Sequence, residues 1–514
     1  MPPAAPAPRF SHLSALLAHQ AQQRPQALAW RFEGQDTDYA AAWQRCRGAA
    51  HRLATDWQVR PGDRVAYLGL NHPDQLVLLF ALAHLGAMLV PLNFRLAGAE
   101  WRAVLADSAS RCLLHDAHWA AAATALAQAD GLAAHPLHSL VPATPCPMPA
   151  CAGQPGSPAL LVYTSGTTGQ ARGAVHTQAN LLANMQAAQA VQDIQPADRV
   201  LTVLPMFHVG GLCIQTLPAL YAGASVLLHA RFDAGTTLQA LASDRPSLTL
   251  QVPATLRALL AHADWGGTDL SSLRALWAGS SLLPDDLVQA VQARGVPVCN
   301  VYGATETGPV SLALPPAQAL SHLGSCGWPA PGVEARIEAP RDGVGELWLR
   351  APAIVQHYWP AQPTRDAKGW FHTGDLARQA VDGSFSIVGR AKDMIISGGE
   401  NIYPAEIENL LATHPAVADC AVLGLPDAAW GELPVAVLVL RDEYVIPGNT
   451  GGTLSLLNWE QLQAELTAWL QTRLARYKLP RRWFVQTALP RTALGKVQKE
   501  QLRQSLPPSR SDTP

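Results

Sequence analysis

The most informative stretch of the chain reads Tyr163-Thr164-Ser165-Gly166-Thr167-Thr168-Gly169-Gln170-Ala171-Arg172-Gly173. Its first residue, Tyr163, ends an apolar run at 159–163 that is typical of a buried strand. Glycines let the backbone turn sharply and bring its N–H groups close to an anion. The hydroxyl groups add neutral donors, and Arg172 adds a cation. The stretch therefore predicts a loop that surrounds a polyphosphate at the end of a strand.

Two other interpretations of this stretch are weaker. It is not a Walker A loop, because Ala171 stands where the second glycine should be and no Gly-Lys-Ser/Thr follows. A plain flexible turn needs only one or two residues of this kind. The density of glycine and hydroxyl groups thus favours a phosphate-binding loop.

Around this loop, short apolar runs alternate with longer helical patterns from about residue 40 to 390. Such alternation predicts α/β layers with largely parallel sheets. Asn71-His72-Pro73-Asp74 is typical of a capped helix start, and the helix should continue to Leu85. A segment rich in Pro, Ala and Gly at 136–158 predicts a loop. Buried strands are predicted at 64–68, 159–163, 200–203 and 298–301.

After Gly389 the pattern changes to that of a smaller α+β domain. A strand at 393–396, a helix at 404–413 and a strand at 417–423 are expected, with a surface loop at 442–456. The fold class is thus α/β, with a large domain at 1–391 made of parallel-rich sheets flanked by helices. A small mobile α+β domain at 392–514 should follow it.

Composition excludes several classes of protein. The chain has 514 residues, of which 48% are hydrophobic and 15% charged, with a net charge of −2. This length requires two or more domains, and the charge argues against nucleic-acid or membrane-surface partners. Eight cysteines without a CxxC pair favour a reducing compartment. No signal peptide is evident, and the longest apolar stretch is far too short to span a membrane. A cytoplasmic protein is expected.

A second cluster, Asn300-Val301-Tyr302-Gly303-Ala304-Thr305-Glu306-Thr307, again follows a predicted strand. Open α/β sheets bind ligands at the carboxyl ends of their strands, so an aromatic ring, a hydroxyl and a carboxylate there suit a nucleotide site. The carboxylate of Glu306 could hold a magnesium ion. Alternatively, Tyr302 is a core residue and Glu306 a solvated surface acid.

Three further segments are weak when taken singly. Gly369–Asp375 and Gly389–Asp393 supply an aspartate suited to paired ribose hydroxyls and an arginine that is a fixed donor fork. Each could equally be a surface turn. Lys496 ends a polar loop, and nothing intrinsic to it distinguishes it from a solvated lysine.

Taken together and in this order, the five segments resemble the adenylate-forming superfamily of acyl-CoA synthetases, adenylation domains and firefly-type luciferases. The resemblance extends from the Asn71 region to Lys496 and implies ATP, Mg²⁺ and CoA as cofactor and co-substrates. It implies phosphate contacts from Thr164, Ser165, Gly166, Thr167, Thr168, Gly169 and Arg172. It implies an adenine and ribose site made of Gly279, Ser280, Ser281, Asn300, Tyr302, Asp375 and Arg390. The implied catalytic residues are Lys496, Glu306, which holds the metal, His208, and Thr305 at the α-phosphate.

The resemblance also implies a moving small domain. Lys392 matches the hinge, and Gly398 and Gly399 approach the pantetheine tunnel after rotation. His208 would lie between the acyl and pantetheine sites, although it could instead be a packed core histidine. The implied acyl pocket is uncharged, which favours a fatty or aromatic acid over a dicarboxylate. Its candidate walls are Gly211, Leu212, Cys213, Leu217, Trp277, Ala278 and Gly303.

The function that this resemblance implies is an acid–thiol ligase forming an acyl-adenylate and then a CoA thioester. Two alternatives stay open: a stand-alone adenylation enzyme that loads a carrier protein's phosphopantetheine, and a nucleotide-binding regulator without catalysis. The partners expected are small molecules, and a homodimer is compatible with them. One departure concerns the phosphate loop, where family members usually carry Pro-Lys in place of Ala171-Arg172. Arginine keeps the charge, so activity is expected to be retained; because the two side chains are not interchangeable at phosphates, a change in ATP affinity stays open.

Overall fold

The computed structural model describes residues 9–165, 171–279, 283–397, 400–427, 430–444, 456–491 and 496–507. Within these ranges, two large sheets hold most of the strands before residue 330, and parallel pairing predominates in both. The predicted α/β class is therefore confirmed. The first sheet has the spatial order Trp328–Pro329, Leu312–Ala313, Val298–Tyr302, Ala275–Gly279, Leu248–Gln251, Arg199–Thr202, Ser225–Leu228, Leu28–Phe32 and Gln35–Asp38. The second has the order Gln362–Pro363, His357–Tyr358, Ala171–Thr177, Pro158–Ser165, Met88–Leu92, Arg64–Leu68, Cys112–His115 and Ala133–Pro136.

The helix predicted to begin near Asn71 is observed as Pro73–His84, and every one of its residues is buried. The side chain of His72 accepts the Asp74 N–H at 3.0 Å and caps the helix. Pro73 sits in the first turn, where the missing N–H is not needed. A helix that is apolar on all sides must be enclosed, so this one lies within the core and not on its surface.

Asn71 connects the start of this helix to the segment that leads to His208. Its Nδ2 donates to the carbonyl of Leu204 at 3.0 Å, and its Oδ1 accepts the N–H of Met206 at 2.7 Å. These are buried hydrogen bonds, which are costly to leave unmade. The position of the backbone before His208 is therefore fixed by a residue more than 130 positions earlier in the sequence.

Helices cover the sheets of the large part of the chain. The amino-terminal ones are Leu13–Gln23, Tyr39–Thr55, Gly98–Ser108 and Ala120–Asp130. Those that follow the predicted phosphate loop are Gln178–Gln192, Val209–Gly211, Leu217–Ala222, Ala234–Ser243, Pro253–Ala261 and Asp285–Gln292. No helix in the described ranges is both long and apolar enough to cross a membrane.

A third sheet is antiparallel throughout, a feature that the alternating pattern before residue 390 did not predict. Its strands are Glu334–Arg341, Val344–Arg350, Phe371–Gln379 and Phe385–Arg390. On one side of this sheet a cation packs against two rings: the guanidinium carbon of Arg336 lies 4.8 Å from the ring centre of Trp348 and 4.4 Å from that of Trp370. Such half-exposed strands alternate between polar and apolar residues and lack the continuous apolar runs of parallel strands.

The carboxyl-terminal part contains its own sheet and its own apolar cores. The expected strand, helix and strand are observed as Ile395–Ser397, Pro404–Ala412 and Val417–Asp427. The cores packed there share no residue with the cores before Arg390. The domain boundary at 391/392 stays a prediction. Further elements in this part are the strands Glu400–Ile402, Gly431–Leu440 and Arg482–Val485 and the helices Leu456–Gln471 and Lys499–Ser505.

Acid should destabilise the fold through His176, on the strand Ala171–Thr177. The side chain is fully buried, and neither ring nitrogen has a hydrogen-bond partner within the described residues. Burial lowers the pKa of His176 to about 4. The unfolded chain takes up this proton near pH 6.5. The contribution of His176 to stability is therefore complete above pH 6.5, is lost progressively as the pH falls from 6.5 through 4, and changes no further below that.

The measurement is the melting temperature of wild type and of His176→Leu at pH 7.5 and pH 5.0. We expect the variant to escape about 2 kcal/mol of the loss that wild type shows between these pH values. His138→Leu, which changes an exposed histidine, should lose as much as wild type. Equal acid sensitivity in wild type and His176→Leu would contradict this account.

Candidate active site

The residues predicted to bind a nucleotide lie where strands from two sheets end close together. The strand Val298–Tyr302 is parallel to Ala275–Gly279, with Asn300 opposite Ala278 and Val301 opposite Gly279. In the antiparallel third sheet, Asp375 lies opposite Arg390. Strand pairing thus brings together residues that are far apart in the sequence, because neighbours across a ladder are about 5 Å apart.

Asp375 is held from two sides before any ligand is considered. The hydroxyl of Tyr302 donates to its Oδ2 at 2.6 Å, and the Nε of Arg390 donates to its Oδ1 at 2.7 Å. Arg390 also donates to the carbonyl of Thr373 at 3.0 Å. Burial and the nearby carboxylate of Asp375 hold the pKa of Tyr302 well above its ordinary value, so the hydroxyl stays a donor. The carboxylate keeps free lone pairs that suit vicinal hydroxyls.

Asn300 uses its amide nitrogen within the protein. Nδ2 donates to the carbonyl of Ser325 at 3.2 Å and contacts the Sγ of Cys326 at 3.4 Å. These contacts fix the amide and direct its other end, the carbonyl oxygen, away from Ser325. That oxygen is the acceptor that a purine amino group requires, so the geometry suits the role implied for Asn300.

Glu306 lies on the one-turn helix Thr305–Thr307 that follows the strand Val298–Tyr302. Its Oε1 accepts the hydroxyl of Tyr358 at 2.7 Å. Thr305 stands on the same turn and is half-buried. The turn is closed by Thr307, whose Oγ1 accepts the N–H of Ala304 at 2.9 Å.

The surroundings of Glu306 fit a magnesium ion that arrives with a nucleotide. The described residues contain no group of three or more His, Cys, Asp and Glu that could hold a metal by itself. Magnesium in nucleotide-dependent sites is usually held by one or two carboxylates together with phosphate oxygens. A single half-buried carboxylate, with one oxygen already fixed by Tyr358, meets that requirement.

Lys496 reaches this site from the carboxyl-terminal part of the chain. Its pKa lies below the ordinary value, first because protein surrounds the ammonium group and next because the guanidinium of Arg390 repels it. The carboxylates of Asp375 and Glu306 act in the opposite direction. The residue still has a large solvent-exposed fraction, so it lies in a crevice that water enters and not in a core. Lys496, which no local pattern in the sequence distinguishes, thus lies among the residues predicted to bind the nucleotide.

His208 lies near Lys496 and near Arg95. Burial first, and then the positive charges of Lys496 and Arg95, lower the pKa of His208 to about 3. Part of the residue is accessible to solvent, yet all three causes act in the same direction. The ring is therefore uncharged at neutral pH. His208 directly precedes the short helix Val209–Gly211, and the next turn, Leu212–Thr216, is a π-helix, a distortion that is common at functional sites.

The predicted wall residues of the acyl pocket are buried, except Gly303, which is half-buried. Leu212, Trp277 and Ala278 all lie in the main core cluster. Leu212 follows the segment of His208, and the other two belong to the strand Ala275–Gly279. Two glycines are required by close packing. A Cβ on Gly303 would lie 1.7 Å from the carbonyl oxygen of Pro309, and one on Gly211 would lie 2.3 Å from that of Pro205. Their assignment to the acyl pocket stays a prediction.

Several predicted residues lie outside the described ranges, while the base of the phosphate loop lies within them. Thr164 Oγ1 donates to the carbonyl of Arg172 at 3.4 Å, and the strands on either side pair as a hairpin. The hinge candidate Lys392 is exposed on the short turn Ala391–Asp393. Outside the described residues are the side chain of Ser165 and the whole of Gly166, Thr167, Thr168, Gly169, Ser280, Ser281, Gly398 and Gly399.

Two residues of the site were missed from the sequence. Tyr358 contacts Glu306, and Arg95 acts on His208 through its charge. Neither belongs to a motif of clustered glycine, hydroxyl and charged residues. Tyr358 is 52 positions from Glu306, and only the pairing of its short strand with the hairpin brings the two together. No signal within a single segment could have indicated either contact.

Comparison with known proteins places this geometry in context. The family model described as AMP-binding enzyme matches residues 17–359, and the one described as AMP-binding enzyme C-terminal domain matches residues 406–496. An indoleacetate–CoA ligase of Aromatoleum aromaticum is 40% identical over 96% of this chain and 98% of its own length. A feruloyl-CoA synthase of an Amycolatopsis species is also 40% identical, over 94% of this chain and 96% of its own.

A solved structure shows the same architecture. The o-succinylbenzoate-CoA synthetase of Bacillus subtilis, determined in complex with its acyl-adenylate intermediate, is 31% identical to this chain. The two superpose with a TM-score of 0.83 over 96% of this chain and 99% of the synthetase. Identity at this level, over nearly the full length of both chains, goes beyond a shared fold.

Proposed function

The chain belongs to the AMP-binding enzyme family, in its acyl-CoA synthetase branch, and from that premise we propose that it joins an aromatic carboxylic acid to CoA. One observation supports this most: Lys496 stands with Glu306, Asp375 and Arg390, although these residues come from separate segments. The two relatives at 40% identity act on indoleacetate and on ferulate, by their names. An aromatic acid is therefore proposed ahead of a fatty acid.

In the first proposed step, an oxygen of the substrate carboxylate attacks the α-phosphorus of ATP. The bond from that phosphorus to the bridging oxygen breaks, and pyrophosphate leaves with the electron pair. Asp375 and Arg390 hold the ribose, and Tyr302 supports the adenine. Lys496 offsets negative charge on the transferring phosphoryl group, an electrostatic role in which preorganised donors are most effective. Magnesium, held by Glu306, would neutralise charge on the departing pyrophosphate.

In the second proposed step, the thiol of CoA loses its proton to water and attacks the acyl carbon. The bond from that carbon to the phosphate oxygen breaks, and AMP leaves with the electron pair. We assign His208, whose ring is kept uncharged mainly by burial, to accept a hydrogen bond from the thiol. A ring with a pKa of about 3 is a poor base at neutral pH. We therefore assign it to orientation of the thiol and not to storage of the proton.

The two steps require different faces of the small domain. We propose that residues 392–514 turn about Lys392, removing Lys496 from the site and bringing Gly398 and Gly399 to the pantetheine tunnel. Lys496 would otherwise occupy space that the incoming thiol needs. This motion exchanges catalytic groups around a fixed intermediate, as in other domain-closure enzymes. The cytoplasmic location, the homodimer and the domain boundary stay predictions.

The experiment that tests this function is pyrophosphate release across a panel of aromatic and aliphatic acids, each with and without CoA. We expect repeated turnover with one class of aromatic acid, and only when CoA is present. A single burst that CoA does not change would favour a carrier protein as acceptor. If no acid in the panel causes pyrophosphate release although ATP still binds, the result would favour a nucleotide-binding regulator and contradict the proposal.

A further inference from the structure

Tyr358 is anchored to the hairpin of the phosphate loop by its backbone. Its strand, His357–Tyr358, is antiparallel to Ala171–Thr177, with Tyr358 opposite Ala174. The next residue, Trp359, donates its N–H to the carbonyl of Gly173 at 2.7 Å. Two backbone connections thus fix the position of the tyrosine relative to the base of the loop.

The side chain of Tyr358 makes one contact at each end. Its hydroxyl donates to Glu306 Oε1 at 2.7 Å. The guanidinium carbon of Arg172 lies 5.6 Å from the centre of its ring, within the range of a cation–π contact. One residue therefore contacts both the cation at the base of the phosphate loop and the carboxylate assigned to magnesium.

We propose that Tyr358 is a positioning residue that sets Glu306 for the metal–nucleotide complex and holds Arg172 toward the phosphates. This inference rests on the proposed function for the identity of the nucleotide, ATP. Because the hydroxyl occupies Oε1, the rotation of the carboxylate is restricted and Oε2 is the oxygen left for a metal. A carboxylate held in one orientation does not lose that freedom when the metal binds.

The same contact explains why arginine is suited to position 172. A planar guanidinium stacks on an aromatic ring while its N–H groups stay available for oxygen anions. Lysine carries a compact charge on a flexible stem and is less well fixed by such a ring. The departure from the usual Pro-Lys thus accompanies a tyrosine that holds the arginine in place.

The test is calorimetric titration of ATP into the full chain, with Mg²⁺ and with EDTA, without acid or CoA. We expect Tyr358→Phe to weaken binding about tenfold with Mg²⁺, because a hydrogen bond to a charged group is lost. In EDTA its affinity should equal that of wild type, since the ring that carries Arg172 is kept. Tyr444→Phe, an exposed tyrosine elsewhere, is the matched control.

Two further variants separate positioning from packing. In a Glu306→Ala background, Tyr358→Phe should cause no additional loss, because the oxygen that accepts the hydroxyl is gone. Tyr358→Leu removes the ring as well, so its affinity should fall in EDTA too, by as much as in Arg172→Met. Unchanged melting temperatures should accompany the Tyr358→Phe result.

Unchanged affinity of Tyr358→Phe with Mg²⁺, or an equal loss with and without it, would overturn the inference. Failure of wild type to bind ATP would overturn both the inference and the proposed function. A protein that binds Mg-ATP through Tyr358 yet releases no pyrophosphate with any acid would overturn the proposed function alone.

Discussion

Replacing Lys496 with alanine should slow adenylate formation by about 10²–10³, in line with the loss of a preorganised charge-stabilising group. The ammonium group lies where the charges of Glu306, Asp375 and Arg390 all act on it. It is therefore in place before the reaction begins and needs no reorganisation as negative charge moves toward pyrophosphate. Thioester formation from supplied acyl-adenylate should stay near the wild-type rate, because in the proposed rotation the lysine leaves the site before the thiol enters.

The two half-reactions are measured separately for this variant. Single-turnover release of pyrophosphate reports the first, and conversion of synthetic acyl-adenylate with CoA reports the second. Lys368→Ala, which removes an exposed lysine from a turn of the large domain, is the control and should leave both rates unchanged. An equal loss in both half-reactions would refute the assignment of Lys496 to adenylation alone.

Replacing Lys392 with proline should lower the rate of CoA transfer by about 10², the scale of loss that a misplaced catalytic group causes. Lys392 is in the middle of the 3₁₀ turn Ala391–Asp393, and the φ typical of such turns is close to the value that proline imposes. The structure described here, with Lys496 beside Glu306, therefore tolerates the substitution. Rotation to a second orientation needs a new φ at the hinge, which proline forbids.

Adenylation should be largely retained in Lys392→Pro, so pyrophosphate should appear as a burst without turnover. Proline also disfavours the helical region for Ala391, which sets a small cost on the first half-reaction. Lys392→Ala keeps the backbone free and should behave as wild type in both steps. Survival of CoA transfer in the proline variant would place the hinge elsewhere.

Local patterns in the sequence predicted the parts of the fold that local forces determine. The run at 64–68 is observed as Arg64–Leu68, in which the four residues after Arg64 are all buried, and a short apolar run bounded by turns favours an interior strand. The helix start at His72 and Pro73 is likewise determined by a few adjacent residues. Elements of this kind carry their own signal.

The remaining features depend on contacts between distant segments. The antiparallel sheet at 334–390 has half-exposed strands, so its pattern is weaker than that of the parallel sheets. Roles for Asp375, Arg390 and Lys496 were predicted only from the order of the five segments. In the structure these three residues lie together. Tyr358 had no motif at all, since its role arises from a strand pairing that a linear pattern does not encode.

The position of Arg390 in the chain has a consequence for the fate of the intermediate. Arg390 and its partner Asp375 both belong to the antiparallel sheet and precede the proposed pivot by two residues or more. With a pivot at Lys392, the two residues proposed to bind the ribose stay with the large domain while Lys496 leaves. A reactive mixed anhydride would then remain in one place throughout the cycle. The enzyme would bring the thiol to its intermediate and would never release that intermediate to water.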